Sequence, residues 1–203
     1  PGKKFRQAIA DNNPLMVVGA VNAYCAKMAE KAGHKALYLS GAGVANASFG
    51  LPDLAITTLN DVAEDSRRIT QATDLPLLID IDTGFGGAFS IGRTIKEMIA
   101  ADVAAVHIED QVTQKRCGHR PNKSLVDKIE MSDRIKAAVD GRTDESFFIM
   151  ARTDSYATEG MDGAIERSKE YIEAGADGLF LEAVSSLEDY KQLKDALQVP
   201  VLA

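Results

Sequence analysis

Seven short apolar runs, each parted from the next by a longer amphipathic or polar run, constrain this chain more than any other feature. The apolar runs are Leu15–Gly19, Ala36–Ser40, Leu77–Ile81, Ala104–Ile108, Phe147–Ala151, Gly178–Leu181 and Val199–Leu202. Runs this short and this continuously apolar read as strands buried on both faces. Helical periodicity predicts helices over Ala23–Lys31, Thr58 to about Gln71, Ile91–Ala101, Met131–Val139, Asp162–Ala174 and Leu187–Leu197. Gly33 and Gly175 stop two of them, and Thr58 with Asp61 three residues on marks a start. Phe5–Ala10 reads as a short helical lead-in.

Strands alternating with helices imply a parallel sheet under a helical layer. An open doubly wound sheet and a (β/α)8 barrel of the TIM type both meet that description. The first strand lacks a G-x-G-x-x-G turn. Gly41-Ala42-Gly43 follows the second strand with no third glycine in register, so it reads as a tight turn. Seven strands in 203 residues also exceed a typical open sheet. The expectation is a single α/β domain over residues 1–203, a (β/α)8 barrel lacking its C-terminal end. Full barrels run to about 250 residues.

Polar residues collect at the strand ends. They are Tyr38 and Ser40, Asp80 and Asp82, His107 and Glu109, Arg152 and Asp154, and Phe180 with Glu182. A strand's period of two puts each of the pairs Tyr38/Ser40, Asp80/Asp82, His107/Glu109 and Phe180/Glu182 on one face. The alternate residues Leu39, Ile81, Ile108 and Leu181 are apolar and suit the helix shell. The polar members therefore point into one mouth, where a barrel carries its chemistry. Singly, Asp80 or Asp82 reads as a turn or helix cap, Glu109 or Glu182 as a partner of Arg152, and His107 as a hydrogen-bonded core residue. Five strand ends together resist those readings. Carboxylates crowded there repel one another, and a hard divalent cation resolves the conflict, with Mg²⁺ fitting best. Asp53, in the loop after the second strand, is either a further metal-shell ligand or a turn cap.

Gln114–Lys123 reads Q-K-R-C-G-H-R-P-N-K. A thiol flanked by Lys115, Arg116 and His119 is expected to have a lowered pKa. Gly118 frees the backbone beside it, and Pro121 blocks a helix. With only one other cysteine, Cys25, which reads as a small buried hydrophobe, no disulfide framework exists, and a reducing cytoplasm is expected. The net charge of −7 argues against a nucleic-acid partner. No apolar run nears the roughly 20 residues that span a bilayer, and the N-terminus shows no signal-peptide core. No membrane partner is expected.

With these residues assembled, the chain resembles the isocitrate lyase superfamily, nearest its methylisocitrate-cleaving branch. The resemblance covers essentially the whole sequence. Lys115-Arg116-Cys117-Gly118-His119 is its most specific motif. Asp80-Ile81-Asp82-Thr83-Gly84, His107-Ile108-Glu109-Asp110-Gln111 and Ala151-Arg152-Thr153-Asp154 support it. It implies Mg²⁺ held by Asp80, with Asp53, Asp82 and Glu109 around it, and retro-aldol cleavage of a tricarboxylate to pyruvate and succinate. Cys117 would be the general acid, tuned by His119 and Glu182, with Tyr38 the first candidate base and Arg152 stabilising charge. Ser40, Gly41, Ala42, Lys115, Arg116 and Gly118 would line the substrate. Phe180 stands where isocitrate lyases carry Trp, leaving room for an extra methyl group. The resemblance further implies a homotetramer with exchanged C-terminal helices. A chain ending at Ala203 would lack the eighth strand, those helices and part of the carboxylate pocket. Alternatives are an isocitrate lyase giving glyoxylate, a phosphoenolpyruvate mutase or oxaloacetate decarboxylase, and a non-catalytic barrel binding 2-oxoacids.

Overall fold

A computed structural model describes residues 1–203. Its seven strands are β1 (Val17–Gly19), β2 (Ala36–Leu39), β3 (Leu77–Asp80), β4 (Ala105–Glu109), β5 (Phe148–Thr153), β6 (Gly178–Leu181) and β7 (Val201–Leu202). They form one parallel sheet in chain order, β1 through β7. That order decides between the two expected architectures. Right-handed crossovers between neighbours that never reverse direction put every helix on the same side of the sheet. The structure is therefore the barrel type, and its other face becomes the interior.

The strand faces divide accordingly. Leu37, Leu39, Ile79, Ile81, Val106, Ile108, Leu179 and Leu181 join the large core between sheet and helices. Ala36, Leu78, Ala105, Phe148 and Met150 form a second, interior cluster with Tyr38, Phe180 and Leu202 against it. The alternation read from the sequence at β2, β3, β4 and β6 is the one observed.

Helix α1 (Gly2–Asp11) lies across the end of the interior opposite the polar strand ends. Phe5 of α1 enters the interior cluster and meets Phe148 edge-on, with ring centroids 5.5 Å apart. Arg6 ties the helix down through Ser146 O and Asp177 Oδ1, both at 2.9 Å. Burying Phe5 contributes about 1.5–3 kcal/mol on transfer grounds.

The outer helices are α2 (Ala23–Lys31), α4 (Leu59–Thr70), α5 (Ala88–Ala100), α6 (Lys128–Gly141), α7 (Tyr156–Glu173) and α8 (Leu187–Ala196). Thr58 and Asp61 cap α4 as the sequence signals: Asp61 Oδ2 accepts from Thr58 N at 2.8 Å. Two elements depart from expectation. Gly41–Ser48 is helical, α3 (Gly41–Gly43) running into a wider π turn (Val44–Ser48), where a tight turn was expected. Helix α7 starts at Tyr156 rather than Asp162 and is broken by Gly160 at φ 70°. Cys25 is half-buried against the main core rather than enclosed by it. No helix is long and apolar enough to cross a membrane.

Candidate active site

The acids converge at the ends of β3 and β4. Asp80 closes β3, and both its oxygens are engaged: Oδ1 accepts from Asp82 N at 2.9 Å and Oδ2 from Gly41 N at 3.2 Å. Asp82 follows in a left-handed backbone, φ 49°. Asp tolerates that region better than most residues. A Cβ on Gly41 would stand only 3.1 Å from both Asp80 Oδ2 and Asp82 Oδ1, so glycine is what lets α3 approach these acids. Glu109, fully buried at the end of β4, has no hydrogen-bond donor on either carboxylate oxygen, and Asp82 Oδ1 also lacks one.

The cation among these acids belongs to the protein. Lys115 Nζ pairs with Asp53 Oδ1 and lies 2.6 Å from Asp82 Oδ1, though off hydrogen-bond angle. Burial would lower the Lys115 pKa, but Asp82, Asp80 and Glu109 outweigh it and push it up. The two aspartates separate in acidity. Burial opposes ionisation of Asp80, but His107, Lys115 and Arg152 hold it at about 2. Burial and the Asp80 charge push Asp82 up to about 7. This is the usual outcome for neighbouring carboxyl groups.

Beside the acids, Tyr38, His107 and Phe180 line the interior. Tyr38 Oη lies 2.9 Å from His107 Nε2, and the rings stack at 5.7 Å. His107 Nδ1 faces Asp80 Oδ1 at 3.7 Å. Burial pushes His107 down to about 4, so its imidazole is neutral near pH 7 and Lys115 and Arg152 remain the working counter-charges to Asp80. Burial and Asp80 raise the Tyr38 phenol well above its ordinary value. Burial and the Asp80 charge thus oppose ionisation of the phenol, which the role of base expected of Tyr38 would require. Phe180 meets His107 edge-on at 5.4 Å and lies 5.2 Å beneath the Arg152 guanidinium.

Arg152, at the end of β5, faces three carboxylates. Its Nε lies 3.0 Å from Asp154 Oδ2 and 3.2 Å from Glu109 Oε2, and its Nη2 lies 3.3 Å from Glu182 Oε2. Glu182, 3 % exposed, also meets His119 Nδ1 at 3.1 Å.

The cysteine loop is seated on this network. Its base is stitched by Val112 N to Ser124 O at 2.9 Å and by pairing of Gln111 with Leu125. Gln111 also brackets the Arg116 backbone, donating to its carbonyl at 2.9 Å. Lys115 enters the acid cluster. Gly118 is buried against Arg152 and Glu182, where a Cβ would fall 2.5 Å from Glu182 Cδ and closer still to Arg152 Nη2. Cys117, half-buried, lies between those two anchors. Lys123 closes the loop, bonding Gly118 O at 2.6 Å and Asp154 Oδ1 at 2.9 Å.

Most residues singled out in the sequence are thus brought together: Tyr38, Asp53, Asp80, Asp82, Glu109, Lys115, Cys117, Gly118, His119, Arg152, Phe180 and Glu182. Residues expected to line the substrate also have other contacts or exposure here. Arg116 is exposed and forms no ion pair. The Gly41 amide, expected to face a substrate carboxylate, donates to Asp80 instead. Ser40 Oγ accepts from Gly43 N at 3.3 Å as the cap of α3, with half-buried Ala42 beside it. Sequence reasoning assigned nothing to Lys123 or Asp110 and left Asp154 as one more polar strand end. Asp110, fully buried, orients Asp154 by accepting from its amide at 3.0 Å. An aspartate two residues beyond Arg152, on the same strand face by the period of two, was the signal available.

Known proteins share this arrangement of chain. The family model described as phosphoenolpyruvate phosphomutase matches residues 5–203. The chain belongs to this family. It is 63 % identical over 202 residues to a 2-methylisocitrate lyase of Shewanella oneidensis, covering 100 % of this chain and 69 % of that protein. Among solved structures, 2,3-dimethylmalate lyase, a member of the phosphoenolpyruvate mutase/isocitrate lyase superfamily, superposes with TM-score 0.91 at 37 % identity, covering 98 % of this chain and 68 % of that one. A phosphonopyruvate hydrolase in complex with oxalate and Mg²⁺ gives TM-score 0.84 at 28 % identity, covering 98 % and 70 %.

Within the phosphoenolpyruvate phosphomutase family this chain stands with the carbon–carbon lyases. The non-catalytic barrel is thereby set aside. No three acids, histidines or cysteines converge at metal-ligand spacing. The donor chemistry nonetheless fits a hard cation. Asp82 and Glu109 are buried with unsatisfied oxygens, Asp80 and Asp53 stand beside them, and Lys115 already brings positive charge among them. All-oxygen carboxylate sets of this kind suit Mg²⁺.

Proposed function

We propose that this chain cleaves the carbon–carbon bond of 2-methylisocitrate, giving pyruvate and succinate. One observation carries the chemistry: Cys117 lies on the chain between Lys115, inserted among the acids, and Gly118, pressed against Arg152 and Glu182. The 2-methylisocitrate lyase relative supports the choice of substrate.

In the retro-aldol step the substrate hydroxyl passes its proton to a base, for which Tyr38 is the first candidate, and becomes the carbonyl of pyruvate. The breaking bond leaves its electron pair on the succinate fragment as an aci-carboxylate, and the Cys117 thiol supplies the proton that completes succinate. Mg²⁺, held by Asp80 with Asp53, Asp82 and Glu109 around it, would stabilise negative charge on the substrate hydroxyl and carboxylate oxygens. Arg152 offers fixed positive charge to the fragment that receives the electron pair. His119, paired with Glu182, would return a proton to the thiolate after turnover. Tyr38 stands on the interior wall, its hydroxyl 2.9 Å from His107 Nε2. Lys115 and the seated loop keep water from the carbanion.

The test is product analysis with 2-methylisocitrate and isocitrate in the presence of Mg²⁺, on wild type and Cys117→Ala. Wild type should prefer 2-methylisocitrate. The variant should lose cleavage yet still bind pyruvate and succinate in calorimetry. Full activity in Cys117→Ala would remove the general-acid role, and preference for isocitrate would remove the substrate. The homotetramer and cytoplasmic location belong to the same proposal; light scattering of the purified protein tests the first.

A further inference from the structure

Lys123 has no part in the chemistry just described, yet its side chain is 3 % exposed. An ammonium taken this far from water must be fully partnered. Its partners are Gly118 O at 2.6 Å, in the middle of the cysteine loop, and Asp154 Oδ1 at 2.9 Å, at the end of β5. The same Asp154 carboxylate receives Arg152 through Nε at 3.0 Å and Nη2 at 3.2 Å. Asp154 is held in turn from the far side, its amide donating to Asp110 at 3.0 Å. Asp110 is anchored by Thr153 Oγ1 at 2.6 Å and Tyr171 Oη at 2.9 Å. A continuous polar chain therefore runs from the helix layer, through Asp110 and Asp154, to the peptide that follows Cys117.

The loop needs such a fastening. Its base at Gln111 and Leu125 is stitched by backbone bonds, but its tip meets the barrel only through side chains. Lys115 fastens it to the acids on one side. His119 fastens it to Glu182 but is 80 % exposed, so that contact competes with water. Lys123 is the buried fastening on the Arg152 side.

We propose that Lys123 is a positioning residue, clasping Gly118 O to Asp154 so that the cysteine loop and Arg152 are set in one register. The idea rests on the assignment of Cys117 to the reaction only for its effect on turnover; loop position is read separately. Without the clasp, Gly118 leaves the face of Arg152 and Glu182, and Cys117 becomes open to solvent.

The experiment measures alkylation of Cys117 by iodoacetamide in the substrate-free, full-length enzyme, with half-buried Cys25 as internal reference by peptide mass spectrometry. Loss of one buried charge-assisted hydrogen-bond pair should raise the Cys117 rate about tenfold in Lys123→Met, with Cys25 unchanged. Removing a positive charge near a thiol would by itself slow alkylation, so a rise reads opening rather than electrostatics. Lys123→Arg should restore most of the slow rate. Asp154→Asn, which keeps an acceptor in the same volume, should raise the rate less than Lys123→Met. An unchanged Cys117 rate in folded Lys123→Met would overturn the clasp. So would equal rises at both cysteines, which would report general loosening. Activity surviving in Cys117→Ala would sink the general acid and leave the clasp standing.

Discussion

Gly118→Ala is the smallest change that challenges the seated loop. The glycine is buried, and the side chain it lacks would occupy space already filled: Glu182 Cδ and Cγ at 2.5 Å, and Arg152 Nη2 nearer. Its backbone is not left-handed, so alanine brings no torsional strain there, and the effect isolates packing. Neither neighbour can retreat freely. Arg152 faces Asp154, Glu109 and Glu182, and Glu182 faces Arg152 and His119. Inserting a methyl group into a packed site costs about 1–3 kcal/mol. The loop can relieve that cost by lifting, so the cost falls on closure rather than on folding. At 1.36 kcal/mol per factor of ten, kcat/KM should fall about 5- to 150-fold. The melting temperature should change by less than about 3 °C. The assay pairs steady-state cleavage of 2-methylisocitrate with thermal unfolding of the same preparation. Wild-type kcat/KM in Gly118→Ala would refute the packing of the loop on Arg152 and Glu182. A parallel collapse of stability would show that the glycine serves the fold instead.

Phe180→Trp enlarges a ring flanked by His107 and Arg152; it should lower the preference for 2-methylisocitrate over isocitrate by about tenfold, the scale of one methylene in a pocket, and an unchanged ratio of kcat/KM values would end that reading. Asp80→Asn should weaken Mg²⁺ binding by at least about tenfold in calorimetry, and unaltered affinity would free Asp80 of its metal role. Asp154 yields a dependence on pH. Burial would raise its pKa, but Arg152 and Lys123 prevail and hold it below the ordinary value. Its stabilisation is therefore complete above the unfolded value of about 3.9 and disappears as pH falls through the lower folded value. The stability difference between wild type and Asp154→Asn, from urea titrations, should shrink between pH 5 and pH 2; a constant difference would contradict the ion pairs.

The sequence carried the fold because its code there is local. Ala23–Lys31 and Gly178–Leu181 fall where periodicity puts them, and Thr58 with Asp61 caps α4. Local code also explains the misses. Gly41-Ala42-Gly43 carries two glycines, which weigh toward a turn, yet the segment is helical with its Gly41 amide docked on Asp80. The first turn of α7 ends at a left-handed Gly160, so the apolar period begins only beyond it. At the site, residues on strand ends could be assigned a face by counting. Contacts made across the chain could not. Lys115 meets Asp53 over 62 residues and Lys123 meets Asp154 over 31. A lysine in a basic-looking loop gives no sign of which distant acid will enclose it. The acidity of Tyr38 was hidden for the same reason: burial and the Asp80 charge, not its position on β2, set it.

Helix α1 lies at the end of the interior remote from every group discussed above. With Phe5 against Phe148, it stops that end of the barrel like a cork. The apolar floor it completes underlies Tyr38 and Phe180, and so lies beneath His107 and Asp80. Charges over a dry floor feel one another far more strongly than charges over water. A leak at Phe5 would therefore weaken the whole electrostatic order of the mouth without altering a single residue there.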